Sequence, residues 1–415
     1  MRSSFEFILE YIKKSAKRQI ILSQSLRYLY NLVFGRIRKV QIYEISGFIE
    51  GADNKIAILF VGKEHCAHQF ASLVYHQIDK TLLIEELRFN QITSALKTNT
   101  PEIIAVNVEK PQANEFEKQG YLLLPDISFK LDLLKPIDDI IMKMSKRRRR
   151  DIKKVEAANY SYTISKDKDD DFNFFYWKMY LPYAAQRFGK AAYIKKYGES
   201  KAFYETGGGI IFVRKCEKLV AGILFRVVGK TLYAISMGLC QQGEKFAEQR
   251  ASQAALLFLI KWAKMKGMVS LDYGTSLPFF REGVFIYKKE WGMSVTEPID
   301  QSYCALKLNS PNAGFLSFLQ QNPFIVSDNG ILKGVVLLNH KPTKEELTQI
   351  FSEYFLPKLS SIIFIAYYNS NTRLLNKDES LTKSIGFPPV LSKPLLDICL
   401  ILKKKFKVEA LELNA

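Results

Sequence analysis

Apolar and polar positions alternate along the first third of this chain in the manner of a mixed α/β protein. Short apolar runs of strand length lie at residues 42–49, 56–61, 82–87, 103–108 and 122–124. Helical spacing separates some of these runs, most clearly over residues 65–78. Strands that alternate with helices are typical of α/β domains. We therefore predict an α/β domain over residues 41–140.

The same alternation continues through the middle and the end of the chain. It predicts helices at 146–158 and 247–266, and strands at 210–214, 219–228, 231–239 and 269–273. We assign these elements to a second domain, 141–306, and expect Trp291 and Gly292 to close its sheet. Further along, a strand, a helix and a strand at 334–338, 344–354 and 361–368 predict a small α/β unit over 311–415.

An amphipathic pattern marks the first forty residues. The apolar members of one helical face are Phe5, Ile8, Leu9 and Ile12, and lysines follow them directly. We predict a basic helical segment over residues 1–40. A helix of this kind can lie on a membrane surface, because apolar burial adds to electrostatic attraction.

Charge narrows the choice of partners. The chain of 415 residues carries a formal net charge of +18, and its cations are clustered. Such a field concentrates polyanions, so tRNA, an anionic membrane surface and a diphosphate-linked substrate are candidate partners. No apolar run has the length of a membrane span, the N-terminus lacks a signal-peptide pattern, and the five cysteines are scattered. We predict a cytoplasmic protein, with the inner face of the membrane as a second candidate location.

A polar loop that contains glycine joins the strand at 231–239 to the helix at 247–266. Free backbone N–H groups and the helix dipole favour an anionic group at such a helix start. We therefore expect an anionic group to bind there. The candidate residues for binding it are Gln249, Arg250, Ser236 and Tyr273.

The densest cluster of cations lies on the helix predicted at 146–158. Like charges at i,i+4 destabilise a helix, so a helix that carries them on every side is expected to meet phosphate groups. An ordinary solvated helix is the alternative. The predicted polyanion-binding residues are Lys146, Arg147, Arg148, Arg149, Arg150, Lys153 and Lys154.

Two blocks of sequence carry a resemblance to a known family. One comprises LDYG at 271–274 with GVFIYKKEWG at 283–292, and the other is MSKRRRRDIKK at 144–154. Over residues 120–305 the chain resembles the FemAB-like branch of the GNAT acyltransferase superfamily. The resemblance implies tandem GNAT-like domains with mixed twisted sheets flanked by helices. It also implies an amine acceptor and a donor that is acyl-CoA or aminoacyl-tRNA. The acetyl-CoA loop of the superfamily is replaced by QQGEKFAEQR at 241–250, which leaves the choice of donor open.

Acyl transfer to an amine requires contact between the reactants, a neutral amine and support for the oxyanion. Asp272, at a strand end, is a candidate to orient or deprotonate the amine, and a turn cap is its alternative role. The resemblance places Lys288 near the donor, where a cation supports negative charge, whereas a solvated strand lysine is the alternative. Tyr233 is a candidate hydrogen-bond donor to the carbonyl, with packing as the alternative. These three are the predicted catalytic residues.

The histidines and cysteines predict no metal site, because the spacing of His65, Cys66 and His68 matches no standard zinc pattern. The predicted function is that of an N-acyltransferase or aminoacyltransferase, with a cell-envelope precursor as one candidate acceptor. The alternative is a non-catalytic basic adaptor that binds a membrane or nucleic acid on a decayed transferase fold. An open polar groove between the strands that carry Tyr233 and Asp272 favours the enzyme, and a filled groove favours the adaptor.

Overall fold

A computed structural model describes residues 38–50, 55–98, 101, 103–240, 250–297, 302–308, 313–328, 330–368 and 407–414. Over these residues, mixed sheets flanked by helices confirm the predicted α/β class. The chain forms two compact units. The central unit comprises residues 128–274 and 287–294, and the described part of the flanking unit comprises 38–127, 275–286 and 295–414. Residues 1–37, on which the predicted N-terminal helix falls, lie outside the described residues, as does Gln249.

Seventeen strands and twelve α-helices are described in these ranges. The strands are β1 (Lys39–Phe48), β2 (Lys55–Gly62), β3 (Gln77–Arg88), β4 (Ile103–Glu109), β5 (Leu122–Pro125), β6 (Ile127–Asp132), β7 (Tyr160–Ser165), β8 (Gly208–Lys215), β9 (Lys218–Val228), β10 (Thr231–Leu239), β11 (Ser270–Ser276), β12 (Ser294–Thr296), β13 (Ser302–Leu308), β14 (Phe324–Asp328), β15 (Ile331–Leu338), β16 (Ser361–Tyr368) and β17 (Lys407–Asn414). The helices are α1 (Glu64–Val74), α2 (Ile92–Thr98), α3 (Lys110–Lys118), α4 (Ile137–Met142), α5 (Lys146–Glu156), α6 (Asp169–Phe174), α7 (Leu181–Phe188), α8 (Tyr197–Glu205), α9 (Ala251–Met265), α10 (Gly283–Glu290), α11 (Ala313–Gln321) and α12 (Lys344–Tyr354). No helix of the described residues is long and apolar enough to cross a membrane.

The flanking unit contains a six-stranded sheet and a four-stranded sheet that share one core. The six strands lie in the order β3-β1-β2-β4-β13-β5, and the four in the order β14-β15-β16-β17. Ile58 and Phe70 from the first part of the chain belong to the same buried cluster as Phe318 and Val335. The predicted small unit at 311–415 therefore contributes to a common core, because its own short sheet buries its apolar side chains against the larger one.

The boundaries differ from the predicted domain limits in a second way. Strand β13, most of which we assigned to the second domain, pairs between β4 and β5 in the six-stranded sheet. Strand β6, assigned to the first domain, lies instead in the seven-stranded sheet beside β11. Strand pairing is a long-range choice, and the apolar pattern of an isolated strand does not encode its neighbours.

The central unit is organised on the seven-stranded sheet, in the order β12-β6-β11-β10-β9-β8-β7. Strands β8, β9 and β10 are antiparallel neighbours, whereas β10 and β11 are parallel. Helix α9 lies between β10 and β11 in sequence and packs on one face of the sheet, where the rings of Phe225 and Trp262 lie 4.8 Å apart. A π-helical segment, Phe175–Tyr180, packs on the other face with Leu224.

Two glycines let the π-helical segment approach the sheet closely. A Cβ at Gly222 would lie 3.2 Å from the Phe175 ring, and a Cβ at Gly238 would lie 2.6 Å from the Tyr180 backbone nitrogen. The second contact involves main-chain atoms, so a side chain there has no room.

Gly238→Ala is expected to lower the free energy of unfolding by about 1–3 kcal/mol or more, because overpacking displaces the backbone. Gly198→Ala is the matched control, since an added Cβ in α8 meets no atom within 4 Å. Gly198→Ala is expected to raise the free energy of unfolding by up to about 1 kcal/mol, because alanine has a higher helix propensity than glycine. Urea unfolding of both variants provides the measurement, and equal stability of the two would contradict the close approach.

Trp291 and Gly292 lie in a turn and form no strand, contrary to the expectation that they close the sheet. Residues 283–290 are the helix α10, and its first backbone N–H groups are capped from outside the helix. The Glu282 carboxylate accepts hydrogen bonds from Val284 N at 2.9 Å and Phe285 N at 2.6 Å. A carboxylate at this place stabilises a helix start. It outweighs the strand propensity of the aromatic and β-branched residues that follow.

Candidate functional site

A gap opens between β10 and β11. Their parallel ladder comprises three residue pairs, and Tyr233–Asp272 is the last of them. Strand β10 continues to Leu239 and β11 continues beyond Tyr273, but no further ladder pair joins them within the described ranges. The facing backbone edges beyond Tyr233 and Asp272 are therefore separated, and the sheet has an opening at this point.

An irregularity in β10 sets which side chains face this opening. The register with β9 shifts between Ala234 and Ser236, so Ile235 is an extra residue in the ladder. Arg226 and Leu224 of β9 share one face because strands alternate, and they pair with Tyr233 and Ser236 respectively. Tyr233 and Ser236 therefore share a face, and Asp272 lies on it as the ladder partner of Tyr233. Bulges of this kind re-aim side chains next to functional sites.

Ser236 carries a buried hydroxyl without a hydrogen-bond partner in the described part of the chain. A buried polar atom left without a partner costs about 1–3 kcal/mol. Such an atom is expected to be satisfied by a ligand or a water. Its place directly after the bulge makes it a candidate hydrogen-bond donor to a carbonyl oxygen in the gap.

Asp272 is buried and already engaged on both oxygens. Its Oδ1 accepts a hydrogen bond from Gly274 N at 2.9 Å, which is the turn cap considered as its alternative role. Its Oδ2 lies 3.6 Å from Lys130 Nζ. Burial, and then the Asp272 carboxylate, raise the pKa of Tyr233. The Tyr233 hydroxyl therefore keeps its proton at neutral pH and can donate a hydrogen bond.

Lys288 and Tyr273 lie on the opposite face from Asp272. The Lys288 ammonium is buried, donates a hydrogen bond to the Gly274 carbonyl at 3.1 Å and lies over the rings of Phe129 at 5.4 Å and Tyr273 at 5.9 Å. This environment differs from the solvated strand lysine considered above. One of the three ammonium protons is committed to Gly274, at the point where β11 leaves β10.

Tyr273 lies beside the end of the β10–β11 ladder, with its ring 6.2 Å from that of Tyr287. Burial raises the pKa of its hydroxyl well above the usual value, and neighbouring Tyr287 adds to the shift. Tyr183 and Arg187 of α7 also act electrostatically on the Tyr273 hydroxyl. Helix α7 packs against β10 and the π-helical segment. The sequence prediction omitted Tyr183 and Arg187, since nothing local relates α7 to β11.

A basic pocket lies at the start of α9. It has a volume of about 280 Å³ and is lined by Arg147, Arg150, Asp151, Lys154 and Arg250. Arg250 has a left-handed backbone, with φ of 64°, and its Nε donates to Asp151 Oδ1 at 2.6 Å. Asp151 thereby anchors one of the pocket's cations, and the arginine and lysine heads of α5 supply the others. The predicted phosphate contact of Arg250 and part of the predicted α5 cluster come together here.

Arg148 differs from the prediction, because it is an interior residue. Its guanidinium donates to Glu290 Oε2 at 2.5 Å and to Asp151 Oδ2 at 3.2 Å, and it lies over the rings of Tyr287 and Trp291 at 5.0 and 5.2 Å. The sequence did contain an indication of this, because Arg148 has helical spacing with the apolar Ile152 and Val155. All three occupy the buried side of α5.

The remaining cations of α5 are of two kinds: Arg149 is bonded to backbone carbonyls, and two lysines are exposed. Arg149 donates to the carbonyls of Met142 and Met144 at 2.8 and 3.0 Å, which caps the end of α4. Lys146 and Lys153 are exposed on α5. Of the predicted polyanion-binding residues, Lys146, Arg147, Arg150, Lys153 and Lys154 are exposed, and three of these five line the pocket.

No protein-family model matches the sequence, and no curated protein matches it. Among solved structures, FemX is 10% identical and has a TM-score of 0.36, with 63% of this chain and 83% of that chain covered. L-PGS from Bacillus licheniformis is 10% identical at a TM-score of 0.33, with 66% and 87% covered. A tandem GNAT protein from the clavulanic acid biosynthesis pathway is 10% identical at a TM-score of 0.28, with 62% and 79% covered.

In fold, the chain is similar to FemAB-like proteins and to GNAT proteins. The likenesses are distant and concern the fold alone. Among the described residues, no group of three histidine, cysteine or carboxylate side chains is placed to hold a metal ion. The candidate site therefore consists of the gap, the hydroxyl and carboxylate groups at its edge, and the basic pocket.

Proposed function

We propose that the protein is an N-acyltransferase or aminoacyltransferase whose donor spans the gap between β10 and β11. The observation that carries the proposal is the early end of the β10–β11 ladder at Tyr233 and Asp272. Behind it, on the α9 face, lies a pocket of cations, and beyond it, on the other face, lies the unsatisfied Ser236 hydroxyl. A long donor fits this sequence of pocket, gap and hydroxyl, with its anionic carrier in the pocket and its small acyl group at the hydroxyl.

The anionic carrier binds the pocket through Arg147, Arg150, Lys154 and Arg250. Guanidinium groups pair with phosphate oxygens in bidentate fashion, and the start of α9 adds backbone dipoles of the favourable sign. Coenzyme A and tRNA both carry phosphates at a distance from the acyl ester. Acyl-CoA and aminoacyl-tRNA are therefore the two donor classes that we propose.

The acceptor amine approaches from the face that carries Tyr233, Ser236 and Asp272. Its nitrogen forms a bond to the acyl carbon, the thioester or ester bond breaks, and the amine proton passes to the leaving group. Holding the two reactants in contact contributes about 7–11 kcal/mol. The Tyr233 and Ser236 hydroxyls donate to the carbonyl oxygen as negative charge develops on it.

Asp272 orients the amine, and its carboxylate accepts a proton from it where the amine is basic. An α-amino group has a pKa near ~7.7–8.0 and needs little help, whereas a lysine-like amine near ~10.4 needs a base or a desolvated site. Lys288 supports the oxyanion electrostatically and holds the Gly274 carbonyl, which fixes the edge of the gap. A lipid-linked or sugar-linked amine of a cell-envelope precursor is one acceptor class of this kind.

Arg150→Gln and Lys154→Gln are expected to weaken binding of tRNA and coenzyme A. Each lost phosphate contact reduces the slope of log K against log salt by about 1 for a nucleic acid. Lys218→Gln is the matched control, because it removes an exposed cation from the β8–β9 turn instead. Fluorescence titrations at several salt concentrations measure the slope. Identical slopes in the pocket variants, the control and the unchanged protein would remove the pocket from the donor site.

A further inference from the structure

A cluster of exposed aromatic side chains lies on the segment from α6 to α8. Phe174, Trp177, Phe188 and Tyr193 are 42%, 50%, 41% and 49% exposed. Four aromatic side chains exposed within twenty residues are a candidate interaction surface, because concentrated exposed apolar area marks such surfaces. We call this surface the aromatic patch.

The stretch that carries the four rings, residues 172–198, contains no aspartate or glutamate. Its cations are Lys178, Arg187, Lys190, Lys195 and Lys196. Three aspartates at 169–171 precede it in α6, and Glu199 follows it in α8. Positive charge therefore predominates on the stretch itself, between acidic residues at its two ends.

The patch is held in place by the layer beneath it. Tyr176 Oη donates to the Lys195 carbonyl at 2.9 Å, and Lys195 N donates to Tyr180 Oη at 2.8 Å. Trp177 stacks on Tyr197 with ring centroids 5.6 Å apart. Tyr176 and Tyr180 belong to the π-helical segment, and such segments are often found at functional sites. The hydrogen bonds fix the loop that displays Tyr193 and Lys195.

Arg187 adds a cation to the aromatic patch. Its guanidinium lies over the rings of Tyr183 and Phe188, at 5.7 and 5.3 Å from their centroids. Helix α7, which carries these residues, packs against β10.

We propose that the aromatic patch docks the protein on an anionic lipid bilayer. Tryptophan, tyrosine and phenylalanine with neighbouring lysine and arginine are the composition of the membrane interface, where rings enter the acyl boundary and cations meet headgroups. Each cation near an anionic leaflet strengthens binding about fivefold. The partner is the bilayer surface, so the inference stands whether or not the proposed transferase activity is correct.

Single-stranded nucleic acid fits the patch less well. Bases stack on the open faces of aromatic rings, whereas three of these rings have a face covered by a neighbour. Lys195 lies over Tyr193 at 4.4 Å, Arg187 lies over Phe188 at 5.3 Å, and Tyr197 lies against Trp177. Covered faces leave ring edges exposed, which suits insertion between lipids.

Tryptophan fluorescence tests the proposal at the patch itself. The chain has three tryptophans. Trp177 is 50% exposed, whereas Trp262 and Trp291 are 6% and 0% exposed. Vesicles of phosphatidylcholine with phosphatidylglycerol are expected to shift the emission of the full-length protein to shorter wavelength, as Trp177 leaves water. Trp177→Phe is expected to abolish the shift while the protein still co-sediments with the vesicles.

Charge variants complete the test. Lys178→Gln with Lys190→Gln should lower the partition coefficient for anionic vesicles by about fivefold for each cation. Lys218→Gln with Lys230→Gln, which removes two exposed cations elsewhere, should leave it within twofold. Co-sedimentation without an emission shift overturns the proposal, because another surface then binds the lipid. A shift produced by a single-stranded oligonucleotide but not by vesicles also overturns it and assigns the patch to nucleic acid.

Discussion

Arg148→Met is expected to lower the free energy of unfolding by about 3–5 kcal/mol. The side chain is buried, and its guanidinium pairs with both Glu290 and Asp151. Methionine keeps much of the volume but removes the buried guanidinium from Glu290 Oε2 and Asp151 Oδ2, while Arg250 remains on Asp151 Oδ1. The loss also removes the contacts with the rings of Tyr287 and Trp291, which hold α10 against α5.

Arg150→Met is the matched control, since it removes the same group two positions along α5. Arg150 is exposed, so the expected change in stability is within about 0.5 kcal/mol. Urea unfolding measures both variants. Polyanion binding should show the opposite order: Arg150→Met should weaken it more than Arg148→Met, because Arg150 lines the pocket and Arg148 does not. If Arg148→Met is as stable as the unchanged protein but binds polyanions more weakly, Arg148 contributes to polyanion binding and not to the core.

Asp272→Asn is expected to lower turnover about 10²–10⁴-fold if the carboxylate acts as a general base. Asparagine can still accept the hydrogen bond from Gly274 N, so the turn cap is retained. Lys130→Met is the control, because it removes the ion-pair partner and leaves the carboxylate. Donor affinity should stay nearly constant, since the contact with the amine matters most in the transition state. Loss of donor binding in Asp272→Asn would reduce this residue to a structural role.

Lys288→Met should behave differently from Asp272→Asn. It leaves the Gly274 carbonyl without its hydrogen bond, which costs about 1–3 kcal/mol of stability, and it removes positive charge next to the gap. Turnover and thermal stability should therefore fall together. Full activity in both variants would mean that backbone groups and positioning alone carry the chemistry.

Helices and strands could be predicted from the sequence where the apolar pattern pointed to one element type only. Strand β10 matches its predicted limits, as do α12 and β16, because long apolar or periodic stretches decide the element type. Helix α10 was not predictable in this way. Its residues Val284, Phe285 and Ile286 have strand propensity, and the deciding group is the Glu282 carboxylate that caps the helix start.

The residues of the candidate site could be predicted better than their arrangement in space. The residues Tyr233, Ser236 and Asp272 could be chosen from two predicted strands, but the bulge at Ile235 that puts the first two on one face has no local sequence mark. The interior place of Arg148 follows from its spacing with Ile152. Its partner Glu290 lies 142 residues away, so only the tertiary fold brings them together.

A product analysis tests the central claim most directly. The purified protein is incubated with acyl-CoA donors or with aminoacyl-tRNA, each with a mixture of α-amino and lysine-like amines, and mass spectrometry searches for new amides. We predict an amide from one donor class, formed more slowly by Asp272→Asn, with the donor bound in both proteins by calorimetry. Donor binding without any amide from the unchanged protein would contradict the account and identify a binding protein on a transferase-like fold.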